Sequence, residues 1–343
     1  MKRILLFVIG GLLLLVLAER WWWSTVNQPL QLTTHTAIIV VSPGDSLRSV
    51  LEEAAQRGWL RFPGAVARWA QLYELDTKLH VGEYQVERGN TATDFLEQLN
   101  NGDSIRYQVT LPEGITLARA LAILAEQQPL RITLSGPEDP RLLALVVPHD
   151  SAEGWFMPDT YAYQRGDSDL SILQRAHRAM AQELEQQWIT RAGDTPLENP
   201  YDALILASIV ERETAVADER GKIAGVFSRR LQQGMRLQTD PTVIYGLGDQ
   251  YNGNLTRAHL RDEQNRWNTY RHNGLPPSPI ALPGRAAIMA ALHPEAGDAL
   301  YFVARGDGYH SFASTLEQHN ANVRQYQLNL RSDYRSTPKE EGR

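Results

Sequence analysis

Leu204-Ile205-Leu206-Ala207-Ser208-Ile209-Val210-Glu211-Arg212-Glu213-Thr214 is an apolar run that closes on two carboxylates. Asn199-Pro200 stands just ahead of it. Asn satisfies free N–H groups at a helix start, and Pro suits the first helical position. A helix is therefore expected over 201–214. It is apolar almost all round, which marks a helix buried in a core. Helical spacing aligns Leu204, Ala207, Ser208 and Glu211 on one face. Glu213 is turned about 200° from Glu211 and is expected in solvent or in an ion pair.

Working outward, a second helix is expected near Arg220 to Gln233, with Ile223, Val226, Phe227 and Leu231 inward and a stop at Gly234. Leu237 to Pro283 is rich in Pro, Gly, Asn and Thr, and a stretch that long without periodicity is usually functional. Leu300–Ala304 and Tyr309–Phe312 read as a hairpin around Arg305-Gly306-Asp307-Gly308. Ser314 with Glu317 reads as a capping box for a last helix. Upstream, a long helical pattern covers Asp169 to about Trp188. Before it, a strand, a Pro/Gly turn and a capped helix recur three times, with Asp45, Thr91 and Thr116 as expected N-caps. Short strands alternating with short helices indicate an α+β fold.

The chain has 343 residues, enough for two domains with real cores. Its net charge of -6 gives no electrostatic footprint for nucleic acid. It has no cysteine, which excludes disulfides and a thiol nucleophile. Lys2-Arg3 precedes a 15-residue apolar run, Ile4 to Ala18, followed by Trp21-Trp22-Trp23. We expect a transmembrane helix over 1–24 with the N-terminus in the cytoplasm, the Trp cluster lengthening a span that is short of the usual ~20 residues. Val16-Leu17-Ala18 also fits a cleaved signal peptide. Export follows either way. Residues 25–36 read as a linker and 331–343 as a disordered tail.

No Walker loop, dinucleotide fingerprint, HExxH or GxSxG is present, and nine histidines lack metal-ligand spacing, so neither a metal nor another cofactor is expected. A carboxyl held against the apolar stripe would have its pKa raised, as a general acid at neutral pH requires. Glu211 fits that description, and it also reads as a helix-end carboxylate paired with an Arg. Gln238-Thr239-Asp240-Pro241-Thr242, Asn268-Thr269-Tyr270 and Gly274-Leu275-Pro276-Pro277 gather amides, hydroxyls and an aromatic ring, the kind of surface that holds sugars, although each piece alone also has a turn or cap explanation. Glu153-Gly154-Trp155-Phe156-Met157-Pro158-Asp159-Thr160-Tyr161 mixes carboxylates with aromatics and reads equally as a packed loop.

Together these blocks, with Arg236–Gly246, His310–Phe312 and His319-Asn320, resemble the MltG (YceG-like) family of membrane-bound endolytic murein transglycosylases. The resemblance implies an N-terminal transmembrane helix, a small LysM-like α+β module over 37–106 and a larger α+β YceG-like catalytic domain over 107–330. Val41-Ser42-Pro43-Gly44-Asp45-Ser46-Leu47 alone carries the LysM likeness. The resemblance also implies cleavage of β-1,4 bonds between N-acetylmuramic acid and N-acetylglucosamine in peptidoglycan strands, with a 1,6-anhydro product. One Glu, landing on Glu211, would act as acid and then base. Gln238, Thr239, Asp240, Asn268, Tyr270, Glu153 and His310 are the expected substrate-binding residues. Penicillin-binding synthases and the inner membrane are the expected partners. Two other readings stay open: a muramidase pairing Glu211 with Asp240 or Glu153, and a wall-binding scaffold without catalysis.

Overall fold

The computed structural model describes residues 2–75 and 79–328, with side chains from Ile9 to Gln327, and the chain divides into two compact units. The expected tail over 331–343 lies outside the described residues.

The smaller unit contains Met1–Gln108, Gln127–Arg131 and Ala162–Ser168. Its elements are α1 (Lys2–Val26), β1 (Thr36–Val41), α2 (Leu47–Gln56), α3 (Pro63–Leu72), β2 (Gly82–Glu87) and α4 (Ala92–Asn101). β1 and β2 pair antiparallel, with Ile39 opposite Tyr84. The two-residue period of a strand sends Ile39, Val41, Tyr84 and Val86 inward, while Ile38 and Gln85 stay outside. α2 and α4 cover that inner face with Val50, Leu51, Ala54, Phe95, Leu96 and Leu99. Thr91 caps α4 as expected. α2 is capped by Ser46 rather than Asp45, whose carboxylate instead accepts the Ser42 N–H and closes the preceding turn.

Among the described residues no helix is long and apolar enough to cross a membrane. The run of 15 falls short, and α1 continues past it through Glu19, Arg20 and Ser24. The Trp cluster does not simply extend the run. Trp22 donates its indole N–H to Ala65 O, and Trp22 and Trp23 pack edge-on against Trp69 of α3. The segment expected as a linker likewise sends Leu30 and Leu32 into the core of this unit. Leu12 to Leu17 of α1 remain exposed.

β3 (Tyr107–Thr110) and β4 (Thr160–Tyr163) form a separate two-stranded ladder. The larger unit comprises Val109–Glu126, Ile132–Tyr161 and the chain from Asp169 onward. Its helices are α5 (Leu117–Ala125), α6 (Pro140–Leu143), α7 (Asp169–Ile189), α8 (Pro200–Glu213), α9 (Arg220–Gln232), α10 (Asp240–Leu247), α11 (Arg257–Arg261) and α12 (Arg285–Leu292). The hairpin β5 (Tyr301–Ala304) and β6 (His310–Ala313) and then α13 (Leu316–Val323) complete it. Thr116 caps α5 as expected. α13 is capped by Thr315, because Ser314 spends its N–H and hydroxyl on the Gln318 side chain, and the expected Ser314–Glu317 box does not form.

α8 is the spine of this unit. Every residue from Ala203 to Val210 is buried, and α7, α9, α10 and α12 pack around it. Asn199 caps it by accepting the Asp202 N–H at 3.0 Å. Buried Ser208 donates to Ile205 O and accepts the Ile280 N–H at 3.0 Å, tying the helix to the loop before α12. A second tie is steric: Gly154 has φ +84°, and a Cβ there would lie 2.5 Å from the Pro279 side chain. Gly154→Ala is therefore expected to destabilise the chain by about 1–3 kcal/mol, from backbone strain and overpacking combined. A chemical-denaturation midpoint indistinguishable from wild type would show that the 153–161 block is not clamped in this way.

Candidate active site

The end of α8 puts its two carboxylates in different surroundings. The Glu211 side chain is only 5 % exposed. It accepts the Gly284 N–H at 2.9 Å and lies 3.4 Å from the Arg220 guanidinium. Gly284 is the N-cap of α12, so this carboxylate faces the positive end of a helix. Arg220 also approaches Glu113, at 3.9 Å. Burial, with repulsion from Glu113, raises the Glu211 pKa against the opposing pull of Gly284 N–H and Arg220.

Glu213, the last residue of α8, enters a cavity of about 450 Å³. The cavity is also lined by Gln238, Thr239, Asp240, Tyr270 and His310, five of the residues expected to bind substrate, together with Arg230, Tyr301 and His319. Thr239 donates its hydroxyl to Glu213. Burial, with Asp240 adding to it, pushes the Glu213 carboxyl up to about 7. Tyr270 donates to Asp240 at 2.7 Å. Below the lining, the loops are locked by hydroxyls: Thr239 N–H donates to Thr269 Oγ1 at 3.0 Å, and Thr242 and Thr269 share a bond at 2.9 Å. Gln238 is held at φ +52°, a left-handed conformation that a non-glycine residue adopts only when its surroundings impose it.

His310 and Arg230 are fixed from behind. The His310 N–H and ring nitrogen both bond Glu219, at 2.9 and 2.7 Å. Buried Arg230 donates to the carbonyls of Leu300, Arg236 and Leu237 and lies 5.1 Å above the Tyr301 ring. Burial, aided by Arg230, lowers the His319 pKa from its ordinary imidazole value.

Two expected binding residues are elsewhere. Asn268 is 0 % exposed, and its amide is consumed by the carbonyls of His259, Leu260 and Asp262 and by the Tyr270 N–H, so it shapes the turn beneath Tyr270 and has no face for a ligand. Glu153 is also buried, accepting Leu117 N–H at 2.9 Å and the Tyr245 hydroxyl at 3.3 Å. It lines a second cavity that shares no residue with the first. Arg230, Tyr301, His319 and the cavity-facing role of Glu213 were missed from sequence. Arg230 did leave a signal, a charge on the buried stripe of Ile223, Val226 and Phe227.

Burial pushes Glu153 up to about 7 as well. A carboxyl whose folded pKa is raised binds its proton more tightly when folded. That contribution is full below the unfolded value near pH 4.5 and is lost as pH rises to about 7. Wild-type melting temperature should therefore fall across that window, and Glu153→Gln should flatten the fall. Parallel pH profiles for the two proteins would contradict the burial of this carboxyl.

By fold and site the chain is an α+β protein with a cavity, lined by Glu213 and Asp240, at the end of its central helix. Residues 39–325 match the YceG-like family, and the chain belongs to that family. It is 26% identical over 317 residues to the endolytic murein transglycosylase of Bacillus subtilis, covering 87% of each chain. It is 26% identical over 332 residues to the endolytic murein transglycosylase of Streptococcus pneumoniae, covering 87% of this chain and 60% of that one. A crystal structure of a YceG-like protein from Listeria monocytogenes superposes with a TM-score of 0.52 at 26% identity, covering 84% of this chain and 98% of that one.

Proposed function

We propose that the chain is an endolytic murein transglycosylase acting on peptidoglycan in the cell envelope, and that Glu213 is its acid and base. The reaction rests on the family and the named relatives. The choice of Glu213 rests on one observation: it is the carboxyl at the end of α8 that shares a cavity with Gln238, Thr239, Asp240 and Tyr270. With its pKa near 7, Glu213 is protonated in a good fraction of molecules at neutral pH. It donates that proton to the glycosidic oxygen as the bond from C1 of N-acetylmuramic acid breaks. The carboxylate then takes the proton of the C6 hydroxyl of the same sugar as O6 closes on C1. One bond breaks, one forms, water is not consumed and Glu213 returns to its starting state. The nucleophile is intramolecular, so proximity supplies much of the rate, and no second carboxylate at fixed spacing is needed, unlike in hydrolysing glycosidases.

Asp240 in the same cavity favours a second reading, a muramidase in which Asp240 assists water. Mass spectrometry of the glycan ends separates the two: anhydro ends support the transglycosylase, reducing ends the hydrolase. Glu211, which the family pattern first suggested, is here assigned to holding the start of α12.

The finer placement is also proposed: α1 anchors the chain in the inner membrane with the bulk of the protein outside, its exposed Leu12 to Leu17 facing lipid. A LysM-like role for residues 37–106 and association with penicillin-binding synthases complete the proposal. A C-terminal reporter active only in the cytoplasm would overturn the topology.

A further inference from the structure

The second cavity, about 490 Å³, falls within the size range of small-molecule sites, about 300–1,000 Å³. Three of its walls are aromatic: Tyr201, Tyr245 and Trp267. Tyr201 stacks on His149 at 3.9 Å and on Trp155 at 5.8 Å, so its ring is backed by a ladder of planes. Tyr245 and Trp267 meet edge to face at 5.5 Å. The polar tips of these two rings are already engaged, Trp267 with Ser278 Oγ at 3.0 Å and Tyr245 with Glu153 at 3.3 Å. What they offer a ligand is fixed ring surface. Exposed Glu138 and Asp150 add two acceptors at the rim, and exposed Arg266 adds a donor.

That combination selects a ring with C–H groups on its faces and hydrogen-bonding groups around its edge. A phosphorylated ligand would meet Asp150 and Glu153 against a single guanidinium. A wholly apolar ligand would leave the rim charges unmatched. A pyranose satisfies both the faces and the rim. We propose that this cavity is a second saccharide site, which holds an N-acetylhexosamine ring of the strand away from the bond being cut. The inference rests on the reading of the chain as a glycan-cleaving enzyme. α8 links the two cavities, Tyr201 in its first turn and Glu213 at its end. Twelve residues of helix separate these positions by about 18 Å, further than one sugar reaches. The ring held at Tyr201 is therefore not the ring undergoing cleavage, and a grip on the strand beyond the reacting sugars is what cutting within a strand requires.

The test is photo-crosslinking of the full chain in detergent with a chitotetraose carrying a diazirine, followed by peptide mapping. Wild type should be labelled both in 148–153 and in 236–240. Tyr201→Leu or Trp267→Leu should cut labelling of 148–153 by about fivefold, the size of one lost aromatic stack, while labelling of 236–240 persists. Tyr270→Ala should do the reverse. Arg266→Ala, an exposed change, covers the case in which the aromatic variants misfold by circular dichroism. The same variants should lower kcat/KM on long peptidoglycan strands more than on a peptidoglycan tetrasaccharide that contains N-acetylmuramic acid. No labelling of 148–153 in wild type, or labelling insensitive to both Tyr201→Leu and Arg266→Ala, overturns the second site. If Glu213→Gln keeps forming anhydro ends, the catalytic assignment falls separately, and the labelling still decides this inference.

Discussion

Glu213→Gln is expected to lower release of anhydro-muropeptides from purified sacculi by at least about 10²-fold, the lower end of what general acid–base catalysis contributes. Gln keeps the volume and can still accept the Thr239 hydroxyl. It cannot deliver a proton to the glycosidic oxygen. Removing a buried ionisable acid also relieves the cost of charging it, so the variant should fold and resist heat at least as well as wild type above pH 7. Glu211→Gln is the paired measurement. Its side chain serves Gly284 N–H and Arg220, and an amide oxygen replaces the first of these contacts well and the second poorly. The expected result is a modest stability loss with most activity retained. The opposite pattern, with Glu211→Gln dead and Glu213→Gln active, would remove the cavity from the mechanism. The wild-type pH profile gives a further check: kcat/KM should fall as pH rises through about 7, where Glu213 loses the proton it must donate.

Arg230→Met is expected to cost about 3–5 kcal/mol, the range found when one partner of a buried charged network is removed. Met fills much of the same space but strands the carbonyls of Leu300, Arg236 and Leu237, and the buried one of Leu237 alone costs about 1–3 kcal/mol when left unsatisfied. The loss should appear as a lower denaturant midpoint. It should also reach the site: Arg230 favours the charged form of Glu213, so without it the fall of kcat/KM on the alkaline side of the pH profile should move upward. A variant that melts like wild type would mean that water takes over the three carbonyls and that Arg230 does not hold the hairpin to the α9–α10 loop.

A good deal of this was legible in the amino-acid order. α8, with Asn199 as cap and Pro200 at its first position, is read from local rules, because a cap satisfies its own helix and needs no distant partner. Thr91 and Thr116 follow for the same reason, and so does the β5–β6 hairpin, whose turn glycines Gly306 and Gly308 both take positive φ. The cavity loops were legible as a set: Gln238, Thr239, Asp240, Tyr270 and His310 do meet in one place. Asp45 and Ser314 failed where two neighbouring polar side chains competed for one helix end, a contest decided by the geometry of the preceding turn.

The choice between Glu211 and Glu213 belonged to the tertiary structure. Within a helix, spacing fixes which side chains share a face. At the last turn no further turn covers the side chain, and its surroundings depend on whichever distant segment lies over it. Here Gly284 and Arg220 close over one carboxylate and Thr239 bonds the other, and those partners come from positions 9 to 73 residues away. The same physics separated Glu153 and Asn268 from the cavity they were expected to line. Polar residues in a loop can face a ligand or satisfy buried backbone, and sequence does not say which. By itself the sequence determined the elements, the family and the list of polar residues from which a site could be built; only folding decided which of them face the cavity and which are spent holding it open.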